Sequence, residues 1–199
     1  MSERPAGRQS EPGPSGRGSG HVTRRSPSGP AEGQERAATS PRAHPDLAPL
    51  VALIGTWRGE GEGSYPTIEP FRYSEEISFT QVGKPFLAYR QATVNLATGL
   101  PAHAEAGYWR PVGDGRVELV MAHPTGVVEI EEGTVEAVAD GVRLRLSSTA
   151  VACSGTAKSV QTLQRDVDVV GDTLRYDLAM GAVGQPHQHH LNATLRRVE

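Results

Sequence analysis

The chain has 199 residues, enough for one domain of ordinary size plus an extension. Only 37% of them are hydrophobic and the formal net charge is -3, a balance that leaves part of the length outside any core and speaks against a general binder of nucleic acid or anionic membrane. Cys153 is the one cysteine, which excludes an internal disulfide and a thiolate zinc cage; with no apolar run near the ~20 residues of a membrane span and no secretory core, the chain reads as cytoplasmic.

From Met1 to Ala43 the sequence is Pro, Gly, Ser, Arg and Glu with hardly a large apolar residue. It buries too little surface to offset the entropy of ordering, so residues 1–43 are expected to be a disordered tail and 44–199 a single domain. Arg24 and Arg25 add a weak basic patch to that solvated spacer. In "HPDLAPLVALIGTW", Asp46 is placed to cap a short helix carrying Leu47, Leu50, Val51 and Ile54, with Gly55 ending it.

Beyond Trp57 the period changes to strand alternation, in short runs separated by turn residues. The candidates are Trp57–Gly63, Phe71–Val82, Phe86–Val94, His103–Pro111, Arg116–Ala122, Val127–Val138, Gly141–Ala150, Ser159–Val170, Thr173–Ala182 and Gln188–Val198. "ATGLP", "VGDGR", "ADGV" and "VVGDT" supply the Gly and Asp of tight hairpins. About ten antiparallel strands on short turns favour an all-β, up-and-down barrel, because closure removes exposed edges; a two-sheet sandwich is the alternative.

In "GTWRGEGEGSYPT", Gly55, Trp57, Gly59, Gly61 and Gly63 share one face of the first strand. Either the row lets a barrel coil sharply around a Trp57 plug, or the missing side chains leave room for something flat. The run is no phosphate loop, since no GK[ST] follows and the glycines alternate along a strand; no GxSxG elbow supports a serine hydrolase.

The terminal "GQPHQHHLNATLRRVE" places His187, His189 and His190 within four residues. Three readings stand open: solvated imidazoles, a zinc site in which His187 and His189 share a strand face, or an axial ligand to haem.

"GTWRGEGEGSYPTIEPFRYSEEI", followed in order by "HAEAGYWRP", "TGVVEIEEG" and "QHHLNATLRR", resembles the nitrobindin family from about His44 to the end. The resemblance implies a small antiparallel barrel, similar in outline to fatty-acid-binding proteins, that holds one ferric haem b per chain, interacts with nitric oxide and converts peroxynitrite to nitrate. Its partners are then small reactive nitrogen species, and assembly as a homodimer is left open. By position the axial ligand is the histidine before Leu in the last strand, His190, and Thr67 of "YPTI" and Lys158 of "TAK" match haem contacts. Lys158 is a suitable partner for a haem propionate.

Simple alternation disagrees with that assignment, for it puts His189 with Leu191, Ala193 and Leu195 on the apolar face and His190 opposite. A β-bulge would reconcile the two, and His190 is preferred with His189 as fallback. His103 and His123, near strand ends, and Met180 are candidates to line the cavity. The non-catalytic rival is a barrel that carries haem, nitric oxide or a hydrophobic ligand without turnover; a third reading makes the tail a recruiting segment and the barrel its scaffold.

Overall fold

A computed structural model describes residues 42–198. The expected tail lies outside the described residues except for its last two. A 310 helix spans Pro45–Leu53, and Pro49 inside it leaves one donor out of its backbone ladder. Leu47, Leu50 and Leu53 recur every third residue and form its buried face, while Val51 points to solvent. The expected cap moves by two residues: His44 is the N-cap, its Nδ1 accepting the Asp46 backbone N–H at 3.3 Å, and Asp46 sits in the first turn.

Ten strands follow: β1 (Gly55–Tyr65), β2 (Ile68–Gln81), β3 (Leu87–Asn95), β4 (Pro101–Gly113), β5 (Arg116–His123), β6 (Val127–Val138), β7 (Gly141–Cys153), β8 (Val160–Val170), β9 (Thr173–Ala182) and β10 (Gln188–Arg197). Each pairs antiparallel with its sequence neighbour, and β1 also pairs with β10, so the sheet closes into an up-and-down barrel and the sandwich is excluded. The turns carry the predicted chemistry: Gly113, Gly115 and Gly171 have positive φ, as do Asp114 and Asp140.

The strands divide the lumen into two ends. At the end of the β2–β3, β4–β5, β6–β7 and β8–β9 turns, the 310 helix packs against β4, β6 and β7 and closes the barrel. Trp57 is fully buried there, its Nε1–H donating to the Leu53 carbonyl at 2.8 Å, with the Arg197 guanidinium 4.1 Å above its ring. Arg197 also donates to the carbonyls of Ala52 and Ile54, tying the last strand to the plug. The outer face carries ion pairs such as Arg58–Glu76 and Arg143–Asp168, as expected of a water-facing barrel. Among the described residues no helix is long and apolar enough to cross a membrane.

The glycine row of β1 belongs to the packing of the barrel itself. Gly59 lies opposite Leu195 of β10, and a Cβ on it would stand 2.1 Å from the Thr194 carbonyl oxygen. The inward space over Gly61 is taken by the ring of Tyr73, and that over Gly63 by Phe71 and Leu191. The flat object that the glycines accommodate is thus largely a phenol ring from β2, a correction to the alternative that the row makes room for a ligand.

This contact predicts that Gly59→Ala, which must displace backbone, lowers stability by about 2 kcal/mol or more in denaturant unfolding. Gly155→Ala, where an added Cβ meets nothing within 4 Å, should change it by less than ~1 kcal/mol.

Candidate cofactor site

The other end of the barrel is hollow. A cavity of about 400 Å³ is walled by Phe71, Leu163, Leu178, Met180 and Leu191, and opens to solvent past the exposed Ile68 and Lys158. Its polar lining includes His103, Glu105, His123 and His190.

His190 reaches the cavity because β10 breaks register. His189 pairs with Ala179 and Leu191 with Leu178, so His190 is the extra residue of a bulge. The bulge lets His190 and Leu191 both line the cavity. Strict alternation beyond it keeps Ala193 and Leu195 inside. His189, just before the bulge, is exposed and sits 3.4 Å from Asp177 Oδ1, while His187 Nδ1 meets Thr162 Oγ1 at 2.9 Å. The two histidines that alternation paired for zinc therefore have separate partners.

The half-buried His190 imidazole has a defined tautomer. Nδ1 lies 3.0 Å from the Ser64 carbonyl oxygen, which only accepts, so Nδ1 carries the proton and the Nε2 lone pair is left for another partner. Burial, assisted by the nearby His189 and His103, lowers its pKa below the ordinary histidine value despite the Ser64 bond, which keeps the ring neutral. Tyr65 meets the imidazole edge-on, ring centroids 5.2 Å apart, and its hydroxyl accepts the Ala182 N–H at 2.9 Å. A neutral imidazole whose other nitrogen is hydrogen-bonded is the ordinary form of a metal-ligating histidine. Lys158 lines the cavity from the β7–β8 loop; Thr67 is exposed in the β1–β2 turn, outside the lining but adjacent to Ile68.

Beneath the cavity lies a charged network that reading by motif missed. Arg165 is buried on β8, with Nη1 3.4 Å from Glu105, Nη2 3.1 Å from Glu129 and Nε 3.6 Å from Glu131. Burial works against ionisation of Glu105, but the Arg165 guanidinium, a hydrogen bond from His103 and the His123 ring hold its carboxyl well below the usual range. Burial likewise opposes charge on His123, yet its 3.2 Å hydrogen bond to Glu129 and the field of Glu105 raise its pKa. For Glu131 burial prevails, joined by repulsion from Glu129 and Glu105, and the carboxyl is pushed up to about 7. On β2, Glu75 accepts from Tyr176 at 3.1 Å and from Gln91, and burial raises it to about 7. Each of these residues occupies an inward position of its strand; for Glu75, Glu105 and Arg165 that position continues the apolar alternation of the strand, the one signal the sequence held for them.

A ten-stranded antiparallel barrel with one plugged end, one open end and a neutral, oriented imidazole in an apolar cavity is a small-ligand or cofactor binder, and the imidazole suits a metal-bearing cofactor. Residues 46–197 match the family described as "THAP4-like, heme-binding beta-barrel domain". The chain belongs to this family, the nitrobindins of the resemblance drawn above. It is 54% identical over 154 residues to "Peroxynitrite isomerase 2" of Mycobacterium marinum, covering 77% of this chain and 96% of that protein. "Peroxynitrite isomerase" of Nocardia farcinica is 54% identical over 155 residues, 77% of this chain and 92% of its own. The crystal structure of Rv2717c from M. tuberculosis superposes with a TM-score of 0.76 at 48% identity, covering 79% of this chain and 99% of that one.

The buried carboxyl of Glu75 generates a prediction about pH. Its pKa is about 7 folded and lies in the ordinary carboxylate range unfolded, so the folded state holds the proton longer. Its contribution is fully present below the unfolded pKa and is lost as pH rises to about 7. Glu75→Gln cannot ionise, so between about pH 5 and about pH 8 it should lose ~2 kcal/mol less unfolding free energy than the parent chain, measured by denaturant titration at both values.

Proposed function

We propose that this chain is a haem-dependent peroxynitrite isomerase, with His190 as axial ligand of a ferric haem b held one per chain. The observation that carries the reading is the His190 imidazole, neutral, with Nδ1 bonded to Ser64 and Nε2 free within an apolar cavity. Family membership and the names of relatives about half identical to it support the haem and the reaction.

Bound haem supplies the iron-centred chemistry that rearranges the peroxynitrite anion into its isomer nitrate, with no net oxidation or reduction. The protein supplies placement. Ser64 and the bulge fix the plane of the imidazole, and Tyr65 braces it. Phe71, Leu163, Leu178 and Met180 would shield a bound haem from water, Lys158 at the mouth would offer its ammonium to a propionate, and Thr67 would offer its hydroxyl or amide at the rim. His103 and His123 face the same cavity, where their rings are hydrogen-bonded to each other at 3.1 Å and form part of its polar floor. A haem held by His190 would also supply a binding place for nitric oxide.

A fatty-acid carrier is the weaker reading on a specific ground: the buried guanidinium of Arg165, which could hold a carboxylate, is already engaged by Glu105, Glu129 and Glu131. We place the protein in the cytoplasm. Pairing of two copies is supported by an apolar patch on the outside of β4–β6, where Tyr108, Val120, Val128 and Ile130 stand exposed side by side.

In hemin titrations of the full chain, His190→Ala should abolish the Soret shift or weaken binding by about 100-fold, whereas His189→Ala keeps it. Lys158→Ala should weaken hemin by a few fold, as expected of an exposed ion pair, and Thr67→Ala by less. In stopped flow, the hemin-loaded chain should speed peroxynitrite decay to nitrate over the hemin-free chain, and His190→Ala should not. Loss of the Soret band with His189→Ala alone would sink the assignment, and decay no faster with hemin than without would sink the activity.

A further inference from the structure

The cavity floor holds a second set of ligand-type side chains, and the histidine of the cofactor site has no part in it. His103 Nε2, His123 Nδ1 and Glu105 Oε1 come from the start of β4, the end of β5 and β4 again, strand ends that antiparallel pairing brings side by side. The three atoms form a nearly equilateral triangle: 3.1 Å between the two nitrogens, 3.6 Å from His103 to the carboxylate and 3.7 Å from His123 to it. Ligands bound tetrahedrally at about 2.1 Å from an ion stand about 3.4 Å apart, so the triangle has the size of one face of such a site. Among the described residues, this is where three ligand-type side chains converge.

The groups behind the triangle orient it. His123 keeps its Nε2–H on Glu129 at 3.2 Å, which turns Nδ1 toward the centre. Glu105 receives Tyr89 Oη–H at 3.3 Å and Arg165 at 3.4 Å on Oε2, which leaves Oε1 facing the two imidazoles. A carboxylate behind a ligating histidine and donors behind a ligating carboxylate are the supports that metal sites use. The two ring nitrogens now share a single proton across 3.1 Å, and a cation at the same place would be held by both lone pairs.

Charge points the same way. Three buried carboxyl groups, Glu105, Glu129 and Glu131, surround one guanidinium, that of Arg165. Both oxygens of Glu131 and Oε2 of Glu129 are buried without a hydrogen-bond partner. A divalent cation beside these carboxyl groups would offset the repulsion that pushes Glu131 up and favour its ionised form.

We propose that His103, Glu105 and His123 form a binding site for a divalent first-row transition cation on the floor of the cavity, separate from the haem ligand His190. Two imidazoles and one carboxylate select Zn²⁺, Co²⁺ or Fe²⁺ over Mg²⁺ and Ca²⁺, which prefer all-oxygen shells. Three protein ligands leave a fourth position, and it faces the cavity, where water or a small anion completes the shell.

The test is calorimetric titration of the full-length chain, stripped with chelator and free of hemin, with ZnCl2. One equivalent should bind saturably, MgCl2 should not compete, and His103→Ala and His123→Ala should each weaken Zn²⁺ at least tenfold. His187→Ala, His189→Ala and His190→Ala should leave it unchanged, which separates this site from the C-terminal histidines. Co²⁺ added to the unaltered chain should give the strong visible absorption of a four- or five-coordinate ion, a readout that needs no variant to fold. Absence of saturable Zn²⁺ uptake, uptake that follows the C-terminal histidines, or a Co²⁺ spectrum like that of the aqueous ion would each overturn the proposal.

Discussion

One inserted residue in β10 sets the character of the open end. In a closed barrel every strand must keep its parity, since a slip of one residue turns its whole apolar set to water. The bulge at His190 confines the slip to one position: Leu195 and Ala193 stay inside, His189 stays outside, and His190 enters the lumen beside Leu191. It also brings Nδ1 to the carbonyl of Ser64 on the neighbouring strand, so the same irregularity that admits the imidazole fixes its tautomer. A histidine on a regular stretch of β10 would be either solvated or packed among leucines.

The opposite end of the lumen is filled by side chains. Trp57, the three leucines of the 310 helix and Arg197 close one mouth, and the buried cluster they belong to runs on into the cavity walls at Leu163 and Leu178. The middle of the lumen then contains the Arg165–glutamate network and the Tyr73–Tyr176–Glu75 chain. Buried charges of this kind contribute little net stability, because desolvation offsets much of their attraction. Their physical value lies in presenting a polar floor, held in place by several strands at once, to whatever occupies the space above.

The barrel was legible in the sequence because alternation and turn chemistry are local signals. The ranges Val127–Val138 and Thr173–Ala182 coincide with observed strands, and the remaining strands end within a few residues of expectation. The helix was legible as a helix but not as a 310, although the leucine spacing of three carries that information. His190 was reached through resemblance alone, since a bulge leaves no trace in the alternation it interrupts. The β6 part of the network was illegible for a different reason: in "VVEIEEG" hydropathy assigns Val128 and Ile130 to the inward set, yet they face out, and Glu129 and Glu131 face in.

The inversion in β6 follows from its neighbours. Arg165 on β8 and His123 on β5 offer partners to glutamates on the inner face, whereas Val128 and Ile130 find Tyr108, Val120, Ala150 and Ala152 on the outer face. Cross-strand partners, rather than hydropathy of the strand itself, therefore decide which side of β6 is buried. The result joins the two faces physically: placing acid groups under the cavity obliges the same strand to show an apolar stripe to the exterior. The polar floor and the exposed patch of β4–β6 are two consequences of one choice of parity.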